Sequence, residues 1–410
     1  MTTLDVWLHG RRVAGVTDEA GRLVLSWAED LLEHVPAGSP VLSVRLAAQP
    51  PSVRPPSALV RAYLGGLLPE VSTSPRSQLA RRAGTSSDDV LGLLAVVGGD
   101  VAGAARFTAA GSPPAPGWLD PLADDVAVRR HLERARDDER LGDGDSSLPG
   151  VQPKTALTLV GERWHVPRAG SASTHILKPE LPDRPALLHD EALSSRAAEA
   201  VGLRSAVSRV VEFDGFPALV VPRFDRHVHP ATGQVSRSHQ EDGAAVLGLT
   251  SDEIEAKFGW HRPAANLRAL AGALADNGGD RTGLLRWATL NVLLGNTDGH
   301  AKNVAVTHRP DGRVDLAPVY DVSPHAQLGR DRLALSVNGR FSLAGVGLDD
   351  LVAEARSWRM PARPARATVE DVVERFRAWL GEVRDAADGV HPASEAAIVW
   401  VREHLERLLA

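Results

Sequence analysis

Residues 296–303 read NTDGHAKN, a polar octapeptide set between two apolar runs. Ahead of it lies GLLRWATLNVLLGN (283–296), whose pattern predicts an apolar helix. Behind it, NVAVTHRPDGRVDLAPVYDVSP (303–324) predicts a hairpin around a P-D-G turn. Asp298 and Asn303 therefore stand five positions apart where a helix hands over to a strand, with His300 and Lys302 between them. Asp321 follows the hairpin.

That order suits phosphoryl transfer. The reaction needs Mg²⁺ held against the phosphates, a base or orienter at the attacking hydroxyl, and a cation on the phosphates. Protein kinases set the base Asp and a metal-binding Asn in one loop with four residues between them, the spacing of Asp298 and Asn303. Asp321 is placed for the second metal-binding Asp, and Lys178, ending the strand THILK (174–178), for the phosphate-pairing Lys. SSLPGVQPK (146–154) supplies a turn rich in small residues before that strand. Each has a plainer explanation: a solvated strand lysine, a turn cap, an Asx-rich turn. Four in kinase order and at workable separations argue against that coincidence. No G-x-G-x-x-G precedes Lys178 and no His-Arg precedes Asp298, so an ordinary eukaryotic-type protein kinase is excluded.

Composition sets the outer bounds. The chain has 410 residues, 43% hydrophobic and 24% charged, enough for two or three domains with real cores. Its net charge of −6 does not advertise nucleic-acid binding. With no cysteine, thiolate zinc sites, disulfides and a cysteine nucleophile are excluded. The first residues, MTTLDVWLHGRR, lack the pattern of a signal peptide, and no run is long enough to span a membrane. A soluble cytoplasmic protein is expected. His227 and His229, alone at their spacing, read as loop residues, and the nine tryptophans as core.

Four segments are expected. Residues 1–110 form a small α/β subdomain: a hairpin or meander over LDVWLHGRRVAGVTDEAGRLVLSW (4–27), then helices over 57–70, 75–84 and a capped one over 86–99. Residues 111–145 form a proline-rich linker and a charged, mostly exposed helix. Residues 146–238 alternate strands and turns around one helix (185–203), with a D-G hairpin at Asp214-Gly215. Residues 239–410 are mainly helical and end in two amphipathic helices.

The chain resembles the HipA family, kinase toxins of bacterial type II toxin–antitoxin modules. The likeness rests on SSLPGVQPKTAL, THILKPE, VPRFDR, QEDGAAVLGL, GNTDGHAKN, YDVSP and LALSVNG, with YLGGLLPE and GGDVAGAARF near the N-terminus. It implies an α+β, two-lobed kinase-like fold related to phosphatidylinositol 3/4-kinases, with a small N-terminal α/β subdomain and a mainly helical C-terminal lobe. It also implies roles. Asp298 would be the catalytic aspartate and Lys302 would lend positive charge to the phosphoryl group. Asn303 and Asp321 would hold Mg²⁺, and Lys178 would contact ATP phosphates. The loop from Ser147 to Lys154, with Gly150, Val151 and Gln152, would bind phosphate. Pro222 and Phe224 would face adenine by backbone at the hinge, though family members often carry Glu where Pro222 stands; its carbonyl is retained. His300 would lie at the nucleotide or orient the loop backbone. Glu191 could pair with Lys178 or be an ordinary exposed Glu. Ser147 would be an autophosphorylation site.

The resemblance implies a serine/threonine protein kinase that arrests growth by phosphorylating a translation factor, an aminoacyl-tRNA synthetase being the family's best-known target class. A HipB-like helix-turn-helix antitoxin would bind it, and the complex would bind operator DNA and repress its own operon. A small-molecule phosphotransferase and a catalytically silent co-repressor are the alternatives.

Overall fold

The computed structural model describes residues 2–137, 146–147, 150, 152–229, 231–250, 252–385 and 391–410. They form two compact units. Unit 1 comprises Met1–Pro179, Val211–Ala256 and Thr307–Arg313; unit 2 comprises Glu180–Val210, Lys257–Val306 and Val314–Ala410.

Unit 1 opens with the expected meander: β1 (Thr3–Leu8), β2 (Arg11–Glu19) and β3 (Arg22–Trp27). A later strand, β6 (Ala105–Ala109), completes an antiparallel sheet of order β3-β2-β1-β6. Alternate residues of β3, Leu23, Leu25 and Trp27, face the core, as a half-buried strand requires. A short pair, β4 (Pro40–Ser43) and β5 (Leu46–Ala47), leads into α1 (Ser57–Gly66), α2 (Ser74–Ala83) and α3 (Val90–Val97). Helix α3 starts where the Asp89 carboxylate accepts the Gly92 N–H, and it packs on β1 and β6.

The second half of unit 1 is a six-stranded sheet. Its strands are β7 (Trp118–Pro121), β8 (Thr155–Val160), β9 (Arg163–Arg168), β10 (His175–Pro179), β11 (Arg209–Phe213) and β12 (Phe216–Pro222), in the order β11-β12-β10-β8-β9-β7. Asp214 and Gly215 turn β11 into β12 with φ of 49° and 74°, the left-handed pair that a D-G hairpin predicts. Two expectations change here. The proline-rich stretch contributes edge strand β7, paired with β9, and leaves Trp118 58% exposed, so that tryptophan is not core. The charged helix, α4 (Asp125–Arg136), buries Val128, His131, Leu132 and Ala135 along one face and packs on β10. A stripe of four at helical spacing suffices to seat a helix whose other side is mostly charged. The hairpin β13 (Arg226–Val228) and β14 (Val235–Arg237) follows, then β15 (Gln240–Asp242) and α6 (Gly243–Leu247).

Unit 2 is mainly helical. It holds α5 (Ala186–Ala200), α7 (Leu267–Asp276), α8 (Arg281–Leu294), α9 (Leu348–Ser357), α10 (Ala362–Asp385) and α11 (Glu395–Leu409). Helix α8 is the hub: α5, α7, α9, α10 and α11 all pack on it. Ten of its 14 residues are buried, which explains why its apolar residues are not confined to one stripe. It stops at Gly295, whose φ of 65° is left-handed. A Cβ there would lie 2.3 Å from the Trp400 ring of α11, so packing forbids a side chain as well. Strands β16 (Ala305–His308) and β17 (Val314–Leu316) are neighbours in one sheet, and β18 (Arg332–Val337) pairs with β19 (Arg340–Ser342). Among the described residues no helix is long and apolar enough to cross a membrane.

Candidate functional site

The turn after Gly295 brings together the residues that the spacing picked out in unit 2. Asn303 closes a single 3₁₀ turn (Ala301–Asn303), and its side-chain amide does the joining. Nδ2 donates to the Asp298 carbonyl at 3.0 Å and to the Asp321 carbonyl at 3.4 Å. Asn303 is 4% exposed, so these bonds form out of water and hold the two segments together. With Nδ2 so committed, Oδ1 is the atom that Asn303 can offer a cation. Asp298 and Asp321 are half-buried, within reach of solvent.

Asp321 has φ of 55°, a left-handed conformation in a residue that is not glycine. Such a backbone costs roughly 1–2 kcal/mol, least for Asn and Asp. It persists where the surroundings over-determine it, and such positions cluster at functional sites. Here the Asn303 amide on its carbonyl is one of the restraints.

His300 is 5% exposed, stands edge-on to Phe258 with ring centroids 5.2 Å apart, and is neutral. Burial pushes its pKa well down, and the nearby Lys257 and Lys302 push the same way against Asp321. Among the described residues its Nδ1 has no hydrogen-bond partner, and neither has the buried Ser323 hydroxyl. Its backbone N–H donates to the Asp298 carbonyl at 2.7 Å, which is a loop-orienting contact. Tyr320 anchors the other end, donating its hydroxyl to the Lys302 carbonyl at 2.7 Å. Glu191, on α5, is buried and not an ordinary exposed Glu.

The remaining candidates lie in unit 1. Lys178 is 5% exposed on β10, paired with Leu219 of β12 and near the middle of the sheet. Buried lysine is uncommon without a partner or a task. Of the phosphate-loop candidates, Val151 lies outside the described residues. Lys154 folds over Gly150, where an added Cβ would stand 2.5 Å from Nζ. Gln152 buries an Nε2 that has no partner among the described residues. Pro222 is exposed at the end of β12, with Phe224 half-buried beyond it. Ser147 is 1% exposed, and its hydroxyl donates to the Leu67 carbonyl at 2.7 Å. His227 is bonded to the Ser238 hydroxyl, and no group of three or more metal-ligating side chains occurs among the described residues.

Sequence reasoning missed the supports. Asp100 lies in a buried cluster with Arg223, Arg226, Arg237 and Asp225. Asn291, Asn296 and His325 lie behind Asp298. The only local signal for the latter was an unexplained Asn291 in an apolar helix.

A family model of the HipA-like C-terminal domain matches residues 146–380, and one of the HipA N-terminal domain matches residues 4–108. The chain belongs to the HipA family. A relative from Sinorhizobium fredii, named as a kinase, is 31% identical over 357 residues, covering 84% of this chain and 83% of its own. The serine/threonine-protein kinase toxin HipA of Shewanella oneidensis is 30% identical, covering 79% and 77%. In the solved complex of Shewanella oneidensis HipA, HipB and operator DNA, a chain superposes with a TM-score of 0.80 at 23% identity, covering 99% of this chain and 96% of that one. The mixed α and β architecture is thus that of HipA, and membership supports a kinase.

Proposed function

We propose that this HipA-family chain is an ATP- and Mg²⁺-dependent serine/threonine protein kinase and the toxin of a toxin–antitoxin module. The observation that carries the reading is the Asn303 amide, which binds the carbonyls of Asp298, 5 positions before it, and Asp321, 18 positions after it, and so ties the proposed base to the proposed metal ligands.

The donor set fits Mg²⁺. That ion takes hard oxygens and is usually held by one or two protein ligands plus substrate phosphates and water. The Asp321 carboxylate and Asn303 Oδ1 are such ligands. Mg²⁺, when bound, neutralises charge on the β- and γ-phosphates. Asp298 accepts the proton of the attacking hydroxyl as its oxygen bonds to the γ-phosphorus, and the bond from that phosphorus to the ADP oxygen breaks. Lys302 stabilises the charge on the transferring group. Lys178, Lys154 and the loop around Gly150 and Gln152 hold the ATP phosphates, Pro222 and Phe224 the adenine. His300, neutral and with a buried Nδ1 unpartnered among the described residues, is the candidate nucleotide contact of this loop.

In this reading the kinase is cytoplasmic and phosphorylates a translation factor of the aminoacyl-tRNA synthetase class. A HipB-like antitoxin neutralises it and carries it to operator DNA, consistent with a net charge of −6 on this chain. A gel shift of operator DNA that the chain produces alone would sink that division of labour. For the chemistry, Asp298→Asn should lower phosphoryl transfer roughly 10²–10⁴-fold while ATP affinity stays within about threefold. Near wild-type autophosphorylation by the variant would refute the assignment.

A further inference from the structure

Behind Asp298 runs a buried chain of amides whose direction is fixed end to end. It starts at the Trp287 carbonyl on α8, which can only accept. Asn291 Nδ2 donates to it at 2.7 Å, so Asn291 Oδ1 points the other way. Asn296 Nδ2 donates to that oxygen, and Asn296 Oδ1 in turn receives the Asp298 N–H at 3.1 Å. No other orientation of either amide satisfies both ends. The two asparagines are 6% and 1% exposed, so water does not replace a lost bond.

His325 joins from the segment that follows Asp321. Its Nδ1 lies 3.1 Å from Asn296 Oδ1, an atom already accepting, so Nδ1 carries the hydrogen. Burial first, then Arg330, pushes the His325 pKa down to about 4, and the ring is neutral at physiological pH. The next residue, Ala326, donates its N–H to the Gly295 carbonyl at 2.9 Å. Gly299 lies against the same chain: a Cβ there would come 2.8 Å from Asn291 Oδ1. Asn296 is thus the point where helix α8, the Asp298 loop and the segment after Asp321 meet.

We propose that Asn296, aimed by Asn291 and steadied by His325, is the positioning residue that sets the Asp298 backbone for proton abstraction. The proposal rests on the kinase reading above. Asn296 touches neither nucleotide nor hydroxyl in this account; it acts through Asp298. The Asn303 contacts do not pass through it, so nucleotide binding and turnover should separate.

The test is steady-state phosphoryl transfer by the full-length chain, with ATP·Mg²⁺ affinity measured separately by calorimetry. Misplacing a reacting group by about 1 Å can cost roughly 10²-fold. Asn296→Ala should lower kcat by about that factor, with ATP affinity within about threefold. Asn296→Asp keeps an oxygen for the Asp298 N–H and should recover part of the loss. His325→Ala, at a half-buried position, removes only the steadying bond and should cost kcat roughly tenfold; it decides the matter if Asn296→Ala does not fold. Wild-type kcat in His325→Ala and in any folded Asn296 variant overturns the inference, as does a kcat loss matched by equal loss of ATP affinity. A wild-type chain that binds ATP but transfers no phosphate overturns the kinase reading and the inference with it. Transfer by wild type with unchanged variants overturns the inference alone.

Discussion

Replacing Asp100 by alanine leaves three guanidinium groups in the core of unit 1 facing one carboxylate instead of two. Arg226 Nη2 stands 3.0 Å from the Asp100 carboxylate, and Arg223 and Arg237 each stand 3.7 Å from it. The Arg226 side chain is 0% exposed and those of Arg223 and Asp100 4% and 1%, so solvent cannot take over. Removing one partner of such a pair costs about 3–5 kcal/mol. The Ser146 hydroxyl and the Ser173 hydroxyl and N–H also lose their acceptor, at 2.6, 2.6 and 3.0 Å. Four surviving contacts soften the blow: Arg223 and Arg226 keep Asp225, and both still reach the Val101 carbonyl. The lower end, about 3 kcal/mol, is therefore expected. Against a total stability of roughly 5–15 kcal/mol that is a large fraction. The chain has two units, so a single melting curve is the wrong probe. Hydrogen exchange of β1–β3 peptides reads the opening free energy of unit 1 directly.

The pH dependence carries a sign. Burial would raise both carboxyls, but the arginines outweigh it, holding Asp100 far below the usual range and Asp225 at about 2. A depressed carboxylate contributes stability above its unfolded pKa of about 3.9 and loses it as pH falls through the folded value. The share of stability that these two carboxylates supply should therefore stay flat between pH 7 and 5 and fall from about pH 4 down to 2 and below, with a shallower loss in Asp100→Ala. Buried His239, whose pKa burial lowers to about 3, adds a separate loss below about pH 6.5 in both proteins. An opening free energy within about 1 kcal/mol of wild type at pH 7 would refute the claim that this cluster holds unit 1 together.

Two further outcomes follow from the site. Asn303→Ala and Asp321→Ala should each weaken Mg²⁺-dependent ATP binding by roughly tenfold or more, since each removes a hard oxygen ligand; equal affinity in calorimetry at saturating Mg²⁺ would remove both from the metal. Ser147 should gain phosphate on incubation with ATP, detected by mass spectrometry. Its hydroxyl is bonded to Leu67 and its N–H to the Asp100 carbonyl, so the segment must first let go. A phosphoserine, carrying about −1.5 to −2 charge, cannot return to a 1% exposed site against a carbonyl. Phosphate on neither Ser146 nor Ser147, or a phosphorylated form that still turns over ATP at full rate, would end that reading.

What the sequence determined alone was whatever is set within a few residues: the meander, the Asp214-Gly215 hairpin, the capped start of α3, the apolar helix into NTDGHAKN. Backbone preferences, caps and side-chain periodicity act over that range; Asp298, Asn303 and Asp321 were singled out by the spacing and order of a kinase loop instead. Tertiary structure decided the rest. The Asn303 amide reaching the Asp321 carbonyl, and the left-handed φ of Asp321 that goes with it, depend on two segments packing, which no local preference states. The burial of α4 on β10 hangs on a face that its charges conceal in a linear reading. Asp100 meets Arg226 from 126 positions away, and Ser147 meets Leu67 from 80. A charge or hydroxyl of that kind reads as a surface residue in one dimension. Only burial removes the water that would make it so, and burial is a property of the whole fold.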